Sequence, residues 1–344
     1  MEPIAGPAIG RSRARRRLDA RDHFSLDAAR PTQNRCMPRG TQAPEGAPGQ
    51  AVGDPSIPNA GVHAVDIRYS ANQKDFARYT TEETRAEFLI QNLYVDDTVK
   101  VVYSHVDRMV TFGIKPVNET VSLDKGIDSL KCFGTATILE RREIGFFNIG
   151  GAGSIEVDGE TFKLGFQDCL YITKGAKSVV FKSDDKAAPA KFYGVSAPAH
   201  CAYKTTLLNF AAAKKVPMGA TETSNKRVIN QFIHPDVLPT CQLTMGLTQL
   251  EPGNVWNTMP AHTHERRMEI YTYFNIPEGQ AVFHMMGEGN QTRHILVGNE
   301  EAVISPSWSI HAGAGTAAYT FIWAMGGENQ VFNDMDHIKI TDLR

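Results

Sequence analysis

The chain has few cysteines, no long apolar run and almost no net charge, and each scarcity removes a class of explanation. Its five cysteines (Cys36, Cys132, Cys169, Cys201 and Cys241) are scattered through 344 residues without a C-x-x-C pair. That fits reduced thiols in a cytoplasmic protein better than a disulfide framework. No stretch approaches the roughly 18 consecutive apolar residues of a membrane-spanning helix. A formal net charge of −2 gives no reason to expect nucleic acid or an anionic membrane surface as a partner. Lysine is missing from the first 60 residues, which carry nine Arg, eight Pro and six Gly. Such a segment, without apolar periodicity, cannot bury enough surface to offset the entropy of ordering, so residues 1–60 read as a disordered extension. No hydrophobic segment of a signal peptide follows its basic run "RSRARRR".

From Val65 onward the chain reads as a globular protein dominated by strands. "TTEETRAEFLIQNLYV" (80–95) opens with the Thr80-x-x-Glu83 spacing of a capping box, so a helix begins there. Beyond it come short runs rich in Val, Ile, Tyr and Phe, such as "KVVYSHV", "MVTFGI" and "KFYGVSA". The Asp-Gly turn of "VDGE" (157–160) is the strongest hairpin signal. A second series follows a loop near 204–224, including "CQLTMGLTQL", "EIYTYFNI" and "AYTFIWAM". Two such series predict an all-β protein of two β-sandwich or barrel modules, at 65–203 and 225–344. A weak internal echo agrees: 139–149 resembles 264–276, and 170–181 resembles 302–313. In the first copy no His-x-His precedes the Glu-Arg-Arg, and Ser178 stands where the second has His311. The first module is therefore expected to lack metal ligands.

The second copy carries the chemistry. In "PAHTHERRME" (260–269) His262 and His264 are two apart, which places them on one face of a strand and on divergent faces of a helix. The helical H-E-x-x-H pattern is absent. A turn through the intervening residues would return Glu269 beside the histidines, and His311 follows in "SPSWSIHAG". Three imidazoles and a carboxylate suit a divalent metal such as Zn²⁺, Mn²⁺ or Fe²⁺, with positions left for water or substrate. His200, His234 and His337 read instead as ordinary core or surface residues.

The ligand spacing resembles the two motifs of the cupin superfamily, although Trp308 replaces a glycine of the second motif and Gly315 its terminal asparagine. The segments "VYSHVDR", "LERRE", "NIGGAG", "APAH", "TSN-R-IN", "WNTMP-HTHERRME", "FHMMG", "ISPSWSIH" and "GENQVF-DMDH" resemble one family within it more closely. That family is the 5-dehydro-4-deoxy-D-glucuronate isomerases, also called 4-deoxy-L-threo-5-hexosulose-uronate ketol-isomerases. The resemblance covers the chain from about Val65 to its end. It implies a tandem double-cupin (jelly-roll) fold and one zinc ion on His262, His264, Glu269 and His311. It also implies a homohexamer and a cytoplasmic role in pectin and uronate breakdown. The substrate implied is a small uronate whose aldehyde and neighbouring hydroxyl become a ketone and a primary alcohol. A proton would then have to move at C2, for which Tyr271, Tyr273 and His284 are candidates only. The far carboxylate calls for an arginine, with Arg266, Arg267 and Arg293 available. The related 5-deoxy-glucuronate isomerases of inositol breakdown, an Fe²⁺ dioxygenase and a non-catalytic sugar-binding cupin remain the alternatives.

Overall fold

The computed structural model describes residues 65–344, so the extension expected over 1–60 lies outside the described residues. Strands dominate, and the α-helices among the described residues are short: Gln73–Phe76, Thr81–Phe88 and Ser129–Phe133. The capping box forms as its spacing requires. Glu83 N–H donates to Thr80 Oγ1 at 3.2 Å, and Thr80 N–H donates back to Glu83 Oε2 at 2.7 Å. The helix stops at Phe88 although apolar residues continue, and Leu89–Ile90 becomes a strand paired with Glu301–Ser305. The Asp-Gly hairpin is also present, with Asp158 and Gly159 at φ 48° and 90° joining Gly153–Val157 to Glu160–Leu164.

Two seven-stranded and two four-stranded sheets carry the architecture. The first large sheet runs Asp66–Arg68, Val99–Ser104, Val110–Ile114, Phe192–Pro198, Arg142–Asn148, Cys169–Ile172 and Thr206–Leu208. The second runs Lys214–Met218, Arg227–Ile233, Thr244–Leu250, Thr320–Gly327, Arg267–Phe274, Glu301–Ser305 and Leu89–Ile90. The five inner strands of the two orders correspond, with Arg142–Asn148 and Arg267–Phe274, the echoed segments, in the same place, while the edges differ: Asp66–Arg68 pairs parallel and Lys214–Met218 antiparallel. Each large sheet faces a four-stranded one: Val121–Ser122, Val179–Ser183, Gly153–Val157 and Glu160–Leu164 in the first, Trp256–Asn257, Ala312–Gly315, Val282–Glu288 and Gln291–Val297 in the second. This is the tandem double cupin. Ser178 and His311 each stand immediately before corresponding strands of the small sheets. Leu89–Ile90 closes the second large sheet from a position upstream of nearly all of the first.

The two large sheets pack back to back, so their central strands are buried on both faces. Along Arg142–Asn148, Phe146 meets Phe181 inside the first sandwich, with ring centroids 4.9 Å apart, while Phe147 meets Phe232 of the other at 4.8 Å. Such strands need apolar residues at nearly every position and lose the simple alternation of a half-buried strand. Gly145 lies where the sheets approach closely, since a Cβ there would sit 2.4 Å from Ile233 Cδ1 and 2.6 Å from Met245 Sδ. Glu143 is fully buried at the same junction. Its carboxylate accepts from the backbone N–H groups of Cys241, Gln242 and Leu243, each at 2.9 Å, and from Tyr171 O–H at 2.8 Å.

Candidate metal centre

His262 lies in the two-residue strand His262–Thr263, which pairs with Asp336–His337. The chain then turns through residues 264–266 into Arg267–Phe274, which carries Glu269 back beside the imidazoles. His311 arrives after the tight turn at Pro306, where Ser309 N–H donates to Pro306 O at 2.9 Å. Trp308, at the position of the expected glycine, packs on Phe76 and Phe88 of the two N-terminal helices, with ring centroids at 5.1 Å and 6.4 Å. The departure from the motif fastens those helices to the ligand-bearing turn and leaves His311 in place.

The four side chains converge. His262 Nε2 lies 3.1 Å from His264 Nε2 and 3.0 Å from His311 Nε2. Glu269 Oε2 is 3.2 Å from His264 Nε2 and 3.0 Å from His311 Nε2. All four are buried, and their donor atoms lie within 4.8 Å of one another. His264 Nδ1 faces the Asp334 carbonyl at 3.1 Å, so Nδ1 carries the proton and Nε2 turns its lone pair into the cluster. His311 Nδ1 makes a longer contact of the same kind with Ser309 O, at 3.4 Å. Burial, reinforced by His311 and His264, lowers His262 to about 2, so at neutral pH it presents a lone pair and no charge. Burial by itself would raise the Glu269 carboxyl. The neighbouring His311 and His264 imidazoles outweigh it, and the group is held well below the usual carboxylate range. Several unprotonated donors crowded about 3 Å apart match the ligand edges around a first-row ion bound at about 2.0–2.1 Å. The residues present fit a metal ion.

The cluster opens into a cavity of about 310 Å³. Phe321, Trp323 and Met325 form an apolar wall, and Arg227, Asn257, Tyr271 and His337 supply polar groups. Tyr271 O–H lies 2.9 Å from Thr258 Oγ1, and burial, with Glu269 adding to it, pushes its pKa well above that of an ordinary phenol. Tyr273 and His284 lie elsewhere: they bond to each other at 2.7 Å in the core and do not line the cavity.

The arginines picked from sequence are all occupied outside the cavity. Arg266 pairs with Asp334 and Asp336, and buried Arg267 donates to the carbonyls of Val331, Phe332 and Asp334. Together they fasten the C-terminal segment whose carbonyl orients His264. Arg293 donates to the carbonyls of Ala77 and Tyr79 and stacks over Phe76. Arg227, which sequence reasoning passed over, is the arginine in the cavity, nearly buried and anchored to Asn225 O at 2.8 Å. His337, expected to be an ordinary core or surface residue, is exposed and also lines the cavity, with its ring centroid 5.7 Å from that of His262. Both fall inside "TSN-R-IN" and "DMDH", segments that carry the family resemblance without any metal ligand, and that was the available signal.

The KduI/IolB family profile matches residues 95–340. A 4-deoxy-L-threo-5-hexosulose-uronate ketol-isomerase of Salmonella paratyphi A is 55% identical over 280 residues, covering 81% of this chain and 100% of the relative. The enzyme of the same name from Salmonella newport (strain SL254) matches to the same extent. An IolB-like protein from Salmonella typhimurium LT2 shares the fold, with a TM-score of 0.56 at 14% identity over 67% of this chain and 87% of that one.

Proposed function

The chain belongs to the KduI/IolB family and is a ketol-isomerase, and on that premise we propose a metal-dependent isomerisation of 5-dehydro-4-deoxy-D-glucuronate to 3-deoxy-D-glycero-2,5-hexodiulosonate. The step belongs to pectin and uronate breakdown, and the metal is zinc, one per chain, on His262, His264, Glu269 and His311. The observation that carries this reading is the convergence of those four donors at one end of a cavity that also holds a nearly buried arginine. When bound there, a divalent ion supplies Lewis-acid polarisation of the carbonyl and a template for two neighbouring oxygens.

The chain's own residues supply the rest. Arg227 binds the far carboxylate, for which a guanidinium fork is the natural partner. The Phe321–Trp323–Met325 wall excludes water from the reacting carbons. Tyr271 keeps its proton and so serves as a hydrogen-bond donor to substrate oxygen rather than as a base. Outside the cluster, Arg227, Tyr271 and His337 are the titratable groups lining the cavity. Of these, imidazole is the side chain that commonly serves as a general acid and base, able to accept and return a proton. We assign that transfer to His337. The resemblance further supports a homohexamer as the working assembly. Proton NMR of product tests the reading. The 5-dehydro-4-deoxyuronate aldehyde should disappear as the diketo acid forms, and turnover of 5-deoxy-glucuronate alone would move the chain to the other branch of the family.

A further inference from the structure

Away from the cavity, a second group of metal-binding side chains sits at the junction of the two modules. Cys201 follows the Phe192–Pro198 strand of the first large sheet, and Cys241 precedes Thr244–Leu250 of the second. Their sulfurs are 3.6 Å apart, and a ring nitrogen of His200 joins them, all three ligand atoms lying within 4.8 Å of one another. A disulfide would need about 2.05 Å between the sulfurs. A tetrahedral ion with metal–sulfur bonds of about 2.3 Å sets its two sulfurs roughly 3.8 Å apart, and the observed separation is close to that edge.

The surroundings fix the two sulfurs and leave the third ligand adjustable. Cys201 N–H donates to Cys241 Sγ at 3.4 Å, a bond a thiolate keeps, while the Cys241 S–H that donates to Cys201 O at 3.2 Å is given up on deprotonation. The backbone on the Cys241 side is pinned by Glu143, which accepts from three successive N–H groups beginning at Cys241. His200 is exposed and both cysteines are half-buried, so the imidazole can swing the last ångström and solvent can reach a fourth position.

We propose that His200, Cys201 and Cys241 form a second metal site, of the thiolate-binding class, which takes a zinc-like divalent ion with a water as fourth ligand. On binding, each thiol loses its proton to solvent and becomes a thiolate, while neutral His200 gives a ring-nitrogen lone pair. One divalent ion and two thiols thus yield an electrically neutral metal dithiolate and two protons, with no change of oxidation state. The bound ion links the strands that leave the first large sheet and enter the second, and it stabilises the folded chain by binding that state alone.

Cobalt(II) is the probe that separates this site from the cavity cluster, whose four ligands offer only nitrogen and oxygen. Sulfur-to-cobalt charge-transfer absorption in the near ultraviolet arises only from thiolate ligation. The reduced full-length protein should develop that band on Co²⁺ addition, and so should His264→Ala. Cys201→Ser and Cys241→Ser should lose it while keeping the metal-free melting temperature of the parent. Cd²⁺ should raise the melting temperature of the parent but not of Cys241→Ser. Three results would overturn the proposal: no band in a parent with all thiols free, a band that survives Cys241→Ser, or a pair that oxidises to a disulfide in air yet takes no metal when reduced.

Discussion

Arg227 and His337 line the cavity, and the roles proposed for them, carboxylate binding and proton transfer, would leave different kinetic traces. Arg227→Gln keeps a polar side chain but removes the charge facing the carboxylate. A lost charge-assisted hydrogen bond of about 1.5–3 kcal/mol corresponds to a rise in KM of roughly tenfold to a hundredfold. Steady-state kinetics should show kcat much less affected. His337→Asn should instead lower kcat by about 10²- to 10⁴-fold with KM and metal content nearly unchanged. His284 offers a stability test. Burial, then the nearby His311, lowers it to about 3, with Tyr273 Oη 2.7 Å from its Nδ1. Its folded pKa lies below its unfolded value near 6.5, so its contribution is complete above 6.5 and is lost as pH falls from there toward 3. Thermal melts between pH 7 and pH 4 should therefore fall less steeply for His284→Gln than for the parent.

At the scale of elements, Glu143 is the polar fastening between the sandwiches, since it alone satisfies three amides of the 241–243 turn. Glu143→Ala leaves those buried N–H groups unpaired and should cost on the order of 3 kcal/mol in chemical denaturation. Thr80→Ala, which removes one side of the capping box, should cost only about 1 kcal/mol. The same elements mark what could be read from sequence. Strands such as Arg267–Phe274 were legible because burial on both faces demands a run rich in apolar and aromatic residues, here Met268, Ile270, Tyr271, Tyr273 and Phe274. The placement of Leu89–Ile90 was not, because a local pattern carries no record of the distant sheet edge that a two-residue strand completes. The convergence of His262, His264, Glu269 and His311 was legible from strand parity and motif spacing. Arg227 was not, because its nearly buried guanidinium reaches the cavity from the Arg227–Ile233 strand, some 35 residues before the motif. Arg266 and Arg267 misled for the opposite reason: adjacency to the ligands in sequence brought them to the carbonyls and carboxylates of 331–336 instead.

For the whole molecule, the two sandwiches share one topology and differ in what they hold. The place before the Val179–Ser183 strand carries Ser178, whose backbone N–H donates to Asp158 at 2.8 Å, where the second sandwich carries a buried imidazole. Ser178→Ala should therefore leave turnover close to that of the parent, and an abolished turnover in an otherwise intact protein would break the proposed division between scaffold and chemistry. The central claim is that catalysis depends on an ion held by the second sandwich. It is tested most directly by measuring metal content and turnover together in the parent and in His264→Ala. The parent should carry one tightly held divalent ion per chain that is lost with activity on chelation and restored with it. His264→Ala should fold, lose that ion and lose nearly all turnover. A His264→Ala protein with full metal content and normal turnover would contradict the account.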